Sequence, residues 1–432
     1  MKKIYLIIII SLLVMSCSKK KPILGERKNI FSNNNSSIQV FGNKEDIEIS
    51  KSKTFHNYYG DSSTLNQSIE NYKVDNLNFV EKSIASKKFG IKNYFFSSPV
   101  IVDNIVYYLD SSGNIIARKI DNLKDILWKT KIIENNSTIN YFGGKISFYN
   151  NTLFISDRMN EIIAVSKDGD LLWKKQLNAI PISTPVIYED TLYVITNDNK
   201  LYALDINDSR IKWIHYGTVK DSAILGSANP VVYKDYVIAS YSSGELFVIN
   251  RVNGNTVFST NLTGRYLIFS NFELTDIDST PIIKNNILIA TANNGITQAL
   301  DLNNMRILWK QNLPSLTNVL INNNYAYLIT TDNILVCLNV YNGKIAWFKE
   351  LDKYKDMINK KDLIYYKSLV FINDNLYAFN NLSEYKVFNP HNGNIIENEQ
   401  LLFDFYSIPF SLNNNLYGIG SNSGKIELIL SK

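Results

Sequence analysis

The sequence predicts an all-β protein, an eight-bladed β-propeller whose blades are four-stranded antiparallel sheets. Three observations lead to this prediction. A unit of 38 to 51 residues recurs from about residue 75 to the C-terminus, all five Trp residues occupy one position of that unit, and each end of the repeat region contains only part of a blade.

The repeated unit is clearest in LYALDINDSRIKW (201–213) and LVCLNVYNGKIAW (335–347). Phe258 takes the Trp position in one copy and Glu397 takes it in the weakest copy. Because a large aromatic side chain buries much apolar area, we expect each Trp to dock its blade on a neighbouring blade. The five residues are Trp128, Trp173, Trp213, Trp309 and Trp347.

A second recurring piece lies upstream of the Trp unit and places Pro after Ser, Thr or Asn. It is followed by an apolar run and an Asn- or Asp-rich turn, so that each unit holds four short β-rich runs. Helical repeats of similar length would need apolar residues every three to four positions, which these runs lack. The copies are Ser98-Pro99, Thr184-Pro185, Asn229-Pro230 and Thr280-Pro281.

The two ends of the repeat region complement each other. An eighth unit begins at Ile408, but the sequence ends at Lys432 after its third strand. Residues 77–84 supply a fourth strand, with Phe79 at the Trp position. Pairing the two ends would close the ring and remove free sheet edges. The predicted propeller therefore spans residues 71–432.

The first residues predict export. Residues 1–16 have a basic start and an apolar run, as in a signal peptide. They lead into Val-Met-Ser-Cys at 14–17, which resembles the lipobox of bacterial lipoproteins. The resemblance implies cleavage before Cys17, acylation of that residue and, with Ser18 next, an outer-membrane location facing the periplasm. The alternative is an ordinary secretory signal followed by a chance Cys.

Residues 17–70 are predicted to hold the lipidated Cys and a flexible tether. They are rich in Lys, Asn and Ser, and such a composition buries too little apolar surface to offset the entropy of ordering. Short apolar patches such as 38–41 could pin part of this segment to the propeller.

Charge, Cys and His content exclude several classes of function. The 45 basic and 40 acidic residues give a net charge of +5 that is spread along the chain, so nucleic acid is not predicted as a partner. Two Cys residues are too few for a disulfide framework, and Cys337 lies in an apolar run. The three His residues, His56, His215 and His391, are scattered, so neither a metal site nor a cofactor nor a catalytic set is predicted.

The form A-L-D-x-x-x-G-x-x-x-W resembles the PQQ-type propeller repeat, which serves both quinoprotein dehydrogenases and non-enzymatic lipoproteins. With the lipobox and the length, the chain resembles the BamB family of outer-membrane lipoproteins. The resemblance implies a non-catalytic scaffold that assists outer-membrane protein assembly. Its partners would be the periplasmic POTRA domains of the barrel-forming subunit and nascent outer-membrane proteins. A periplasmic PQQ-dependent dehydrogenase or a small-ligand-binding propeller remains the alternative.

Two segments resemble contact regions of that family. In Leu274–Pro281 an extended backbone would turn Asp276 and Asp278 to one side, exposed toward the partner. In the segment 224–230, Leu225 stands where some family members carry Arg, so Ile224 and Leu225 would make an apolar contact. The alternatives are two turn-forming Asp residues before a strand, and ordinary loop-core residues.

Overall fold

Short antiparallel strands joined by tight turns make up the secondary structure of this computed structural model. It describes residues 47–59, 71–77, 79–82, 99–110, 113–132, 144–219, 228–264, 276–401, 404–405, 409–422 and 425–431. All of them belong to a unit spanning Val40–Lys432. The predicted signal peptide and Cys17 lie outside the described residues. Within the described part of the chain, no helix has the length and apolar character needed to cross a membrane.

Seven sheets of four strands follow one another in chain order, and we call them blades 1 to 7. In each blade the strands pair in sequence order, from an inner first strand to an outer fourth strand. The strands of blades 1 to 4 are Val100–Val102, Ile105–Leu109, Asn114–Lys119 and Ile126–Lys131; Gly144–Tyr149, Thr152–Asp157, Glu161–Ser166 and Leu171–Gln176; Val186–Tyr188, Thr191–Ile195, Lys200–Asp205 and Ile211–Tyr216; and Val231–Tyr233, Tyr236–Ser240, Glu245–Asn250 and Thr256–Asn261. Those of blades 5 to 7 are Ile282–Lys284, Ile287–Thr291, Thr297–Asp301 and Arg306–Gln311; Leu320–Asn322, Tyr325–Ile329, Ile334–Asn339 and Ile345–Glu350; and Tyr366–Ile372, Asn375–Asn380, Glu384–Phe388 and Ile395–Gln400.

Blade 8 joins the two ends of the chain. Its C-terminal strands are Asp404–Phe405, Phe410–Leu412, Asn415–Asn422 and Lys425–Ser431, and its outer strand is Phe79–Lys82. The outer strand pairs antiparallel with the last C-terminal strand, from Phe79 opposite Ser431 to Lys82 opposite Leu428. The predicted eight-bladed fold with terminal closure is confirmed.

The register of blade 8 corrects the prediction for Phe79. In blade 3, Trp213 lies opposite Ala203, the fourth residue of the third strand. Ala203 pairs with Tyr193 of the second strand, which pairs with Val186, the first residue of the inner strand. In blade 8 the same path across the sheet starts at Phe410 and runs through Tyr417 and Leu430 to Val80. Val80 therefore occupies the Trp position, and the aromatic residue Phe79 lies one place earlier.

Burial distinguishes the inner strands from the outer strands. The inner strand of blade 1 is buried at all three residues, whereas Ile126 and Leu127 on its outer strand are 50% and 42% exposed. Inner strands of neighbouring blades, such as those of blades 3 and 4, contact each other. The apolar core lies between successive blades and extends inward to these strands.

Successive strands run in opposite directions, so the connections fall on two faces of the ring. We call one the turn face. It carries the turns between first and second strands and between third and outer strands, which in blade 6 are residues 323–324 and 340–344. We call the other the loop face. It carries the turns between second and third strands and the connections to the next blade, which in blade 6 are residues 330–333 and 351–365. A two-stranded hairpin, Tyr354–Asp356 with Lys361–Leu363, lies within the latter connection.

Each Trp bonds to the next blade. Its indole Nε1 donates a hydrogen bond to a backbone carbonyl in or beside the turn between the third and outer strands of that blade. The bonds run from Trp128 to Lys167 (2.8 Å), Trp173 to Ile206 (2.8 Å), Trp213 to Arg251 (3.1 Å), Trp309 to Val340 (2.8 Å) and Trp347 to Pro390 (3.0 Å).

The repeat's Gly provides the surface on which the preceding blade's Trp packs. At Gly343, with φ of +68°, an added Cβ would lie 2.6 Å from Cδ2 of Trp309. The same close approach to a Trp occurs at three further glycines. Where Phe258 replaces Trp, Met305 stands at the Gly position of the next blade, and both side chains pack against one apolar cluster. The other glycines are Gly169, Gly254 and Gly393.

Residues 47–59 lie on the propeller, although the sequence predicted a flexible tether for 17–70. Ile47 is buried between blades 6 and 7 with Leu320 and Tyr366. Backbone groups of the segment bond to Asn and Asp side chains in turns of the propeller, as in the bond from Ser50 N to Asn322 Oδ1 at 2.8 Å. An apolar anchor and fixed polar partners thus offset the cost of ordering a polar segment.

Candidate partner-binding face

A chain of hydrogen bonds links four blades where the loop face meets the inner strands. Each bond runs from a backbone N–H just before one inner strand to the side chain at the matching place in the next blade. Thr184 N donates to Asn229 Oδ1 (2.9 Å), Asn229 N to Thr280 Oγ1 (3.1 Å), and Thr280 N to Asn318 Oδ1 (3.0 Å). Three of the four residues come from the Ser/Thr/Asn-Pro piece of the repeat, so this piece joins neighbouring blades.

The two predicted contact segments converge in this chain of bonds. The bond from Asn229 N to Thr280 Oγ1 joins the end of the segment 224–230 to the end of Leu274–Pro281. Ala228 and Ile277 are both fully buried members of the apolar cluster between blades 4 and 5. Ile224 and Leu225 themselves lie outside the described residues.

Asp276 and Asp278 were expected to be exposed, and the structure corrects this. Asp276 is 1% exposed, Ile277 is 2% exposed and Asp278 is half-buried. Ile277 is anchored in the apolar cluster, and Asn293 N donates to the backbone carbonyl of Asp276 at 2.9 Å. These contacts hold the segment against a loop-face turn of blade 5. As a result, Asp276 is buried and Asp278 is partly buried.

Burial changes the acidity of Asp278. Its pKa is raised from 3.8 to about 6, mainly by burial and in smaller part by the carboxylate of Asp276, while the ammonium of Lys145 lowers it. Lys145 belongs to the inner strand of blade 2. The loop face therefore carries a carboxylate whose charged form is disfavoured in the free protein, and a cation brought close to it would favour that form.

The three His residues are not brought together. His215 is buried, with Nδ1 2.9 Å from the hydroxyl of Tyr241 and Nε2 2.9 Å from that of Thr256. Burial lowers its pKa. His56 bonds to Asn413, and His391 is exposed. Among the residues that the structure describes, no group of three or more His, Cys, Asp or Glu side chains is arranged to hold a metal ion.

Comparison with known proteins assigns a family. The sequence model of the family described as outer membrane protein assembly factor BamB matches residues 125–349, which is more than half of the chain. The chain belongs to this family. The matched region begins in the outer strand of blade 1 and ends in that of blade 6, so it contains both converging segments.

Individual members of the BamB family are distant in sequence. The outer membrane protein assembly factor BamB of Moranella endobia is 22% identical over 62% of this chain and 70% of its own length. The Escherichia coli protein of the same name is 21% identical over 60% and 67%. An uncharacterized protein of Rickettsia prowazekii is 28% identical over 61% of this chain, and the match spans only 64% of that protein.

Solved structures share the fold. The crystal structure of BamB from Moraxella catarrhalis superposes with a TM-score of 0.65 at 18% identity, and covers 82% of this chain and 100% of that chain. A europium-containing methanol dehydrogenase superposes with a TM-score of 0.60 at 11% identity, and covers 84% and 89%. At such identities both matches show the propeller architecture alone.

Proposed function

We propose that this chain is a non-catalytic, lipid-anchored scaffold of the outer-membrane β-barrel assembly machinery. It binds the POTRA domains of the barrel-forming subunit through the loop face of blades 3 to 5, and assists folding and insertion of outer-membrane proteins. The observation that supports this most directly is the bond between Asn229 and Thr280, because it joins the C-terminal ends of the two family-like contact segments. Membership of the BamB family supports the choice of partner.

Co-purification of the barrel-forming subunit with this protein from the cell envelope tests the proposed function. Full-length tagged protein, purified from detergent-solubilised envelope, is expected to retain the barrel-forming subunit through washing. The same protein mixed with pyrroloquinoline quinone and calcium is expected to show neither bound-quinone absorbance nor dye reduction with alcohols. A bound quinone together with loss of the barrel-forming subunit would reverse the assignment in favour of a dehydrogenase.

The lipid anchor predicts a change in fractionation. Replacing Cys17 with Ser removes the thiol that is acylated, and with it the acyl chains that would hold the protein on the membrane. The variant is expected to move from the membrane fraction to the soluble periplasmic fraction. Cys337→Ser is the matched control, because that buried thiol lies inside the propeller. Membrane fractionation that is unchanged in the Cys17 variant would contradict the anchor.

Removing the charges of Asp276 and Asp278 is expected to lower the affinity for the barrel-forming subunit. Because Asp276 is buried, Asn is the suitable replacement, since it keeps the shape of the side chain while removing the charge. The variant Asp276→Asn/Asp278→Asn is expected to capture the barrel-forming subunit at least about fivefold less well, because truncating an energetically important interface residue costs about 1 kcal/mol or more. Leu225→Asp is expected to weaken capture too. Asp235→Asn, on an exposed turn of the turn face, is the control, and a thermal melt verifies the fold.

Partner capture is also expected to depend on pH. The folded pKa of Asp278 is raised to about 6, so its carboxylate is mostly charged at pH 7.5 and mostly neutral at pH 5.5. A basic group on the partner interacts only with the charged form, and capture should fall about fourfold across that range. In Asp278→Asn this part of the dependence should disappear. An equally steep profile in that variant would show that Asp278 does not face the partner.

A further inference from the structure

We propose that residues 47–59 are a clasp. They act as an intramolecular peptide ligand, bound in an extended groove on the turn face of blades 6, 7, 8 and 1, and they close the two blade interfaces that lack an aromatic dock. This inference does not rest on the proposed function.

The first half of the clasp is held by blades 6 and 7 through backbone contacts. Ser50 N donates to Asn322 Oδ1 at 2.8 Å in blade 6, and Ser52 N donates to Asp374 Oδ1 at 3.0 Å in blade 7. Bonds at every second residue are typical of an extended strand. Main-chain groups make these bonds, so they hold an extended backbone, and the preference for this particular sequence has to come from side-chain contacts.

The second half of the clasp is held by blades 8 and 1. Asn413 N, in the turn of blade 8, donates to the carbonyl of Phe55 at 2.6 Å. Asp103 N, in the turn of blade 1, donates to Asn57 Oδ1 at 3.1 Å. The clasp thus crosses the interface between blade 8, which joins the two ends of the chain, and blade 1. We call this interface the seam.

Tyr58 anchors the clasp at that seam. Its backbone forms an antiparallel bridge with Ile101 on the inner strand of blade 1, with N–O distances of 2.7 and 2.6 Å. Its ring stacks on Phe410 of blade 8, with centroids 3.7 Å apart and planes 4° apart. Tyr58 therefore contacts blade 1 and blade 8, the two blades that meet at the seam. Buried Ile47 anchors the other end of the clasp.

A second segment, residues 71–77, completes the groove. Tyr72 N donates to the carbonyl of Phe371 on the inner strand of blade 7 at 3.0 Å, and its ring meets Phe55 edge-on at 5.3 Å. Lys53 lies parallel to it, with Lys53 N bonded to the carbonyl of Asn71 at 2.8 Å. The clasp is therefore bound between the propeller and a neighbouring strand of the same chain.

The clasp lies at the two blade interfaces that have no aromatic residue at the docking position. Five blades carry a Trp and blade 4 carries Phe258 at the docking position, but blade 7 has Glu397 and blade 8 has Val80. The interfaces between blades 7 and 8 and between blades 8 and 1 therefore lack the aromatic dock. The clasp spans both interfaces, so it supplies contacts between blades at the two places where the repeat does not.

The test uses the full chain with residues 47–59 replaced by a Gly/Ser segment of equal length. Amide hydrogen exchange is expected to rise at least tenfold in Val100–Val102 and Phe410–Leu412, and to stay unchanged in Thr191–Ile195 of blade 3. A synthetic peptide of residues 47–59, added in trans, is expected to bind and to restore slow exchange. Unchanged exchange at blades 8 and 1, a uniform rise around the ring, or a peptide that does not bind would each overturn the proposal.

Adjacent tyrosines provide matched point variants in the otherwise unchanged chain. Tyr58→Ala removes the ring stacked on Phe410 and is expected to raise exchange at the seam, as the Gly/Ser replacement does. Tyr59→Ala changes a neighbouring side chain that is 36% exposed, and is expected to leave exchange at the seam as it was. Equal effects of the two variants would overturn the assignment of Tyr58 as the anchor, even if the Gly/Ser chain failed to fold.

Discussion

A chain that begins at residue 83 is expected to aggregate or to melt at least about 10 °C below a chain that begins at residue 47. The shorter chain lacks Phe79–Lys82, so the edge of Lys425–Ser431 stays unpaired and blade 8 has no link to blade 1 through its outer strand. An exposed strand edge also promotes pairing between molecules. Thermal melts and gel filtration of the two chains measure the effect.

A third chain, beginning at residue 71, separates ring closure from the clasp. It keeps the closing strand and loses residues 47–59, so its melting temperature is expected to lie between the other two. If the chain that begins at residue 83 melted like the one that begins at 47, terminal closure would not stabilise the propeller.

The replacement Gly343→Ala is expected to destabilise the propeller by about 2–5 kcal/mol, the sum of a left-handed backbone penalty and overpacking. Gly343 has φ of +68°, and the new Cβ would lie 2.6 Å from the ring of Trp309. Gly264→Ala is the control, because the nearest atom to its added Cβ is the carbonyl oxygen of Asn294 at 3.4 Å. Denaturant unfolding of both variants measures the difference.

A double variant tests whether the loss of stability comes from a mismatch in size between the residue at position 343 and the aromatic ring that packs on it. Gly343→Met combined with Trp309→Phe copies the natural pair of Phe258 and Met305, in which Met305 also has positive φ of 55°. The pair is expected to be more stable than Gly343→Met alone. If Gly343→Ala lowered the free energy of unfolding no more than Gly264→Ala does, the packing of Trp on Gly would not determine blade docking.

The repeat made the architecture predictable from the sequence. A Trp at the same position in five of the units, Asn-rich turns and two incomplete ends imply a closed ring of blades, because each unit buries its apolar residues only against its neighbours. The register of the closing strand was not predictable to the residue. Phe79 is the nearest aromatic residue, but backbone pairing places Val80 at the Trp position.

The candidate site was predictable only in part. The order of the repeats implies that the segments ending at Asn229 and Thr280 lie in neighbouring blades. The burial of Asp276 was not foreseen, because local alternation indicates which side a residue faces but not how deep the segment lies. The clasp was missed for a related reason, since its polar composition is typical of a tether. Its binding depends on residues in or beside turns, such as Asn322 and Asp374, which are more than 270 positions away.

Photo-crosslinking from two matched positions tests the central claim most directly. Val219 is 63% exposed on the loop-face connection that carries Ile224 and Leu225, and Val252 is 74% exposed on a turn of the turn face. A photoreactive amino acid is placed at one position or the other in the full-length protein in cells. The loop-face assignment predicts a crosslink to the barrel-forming subunit from position 219 and none from position 252. A crosslink from 252 with none from 219 would contradict it.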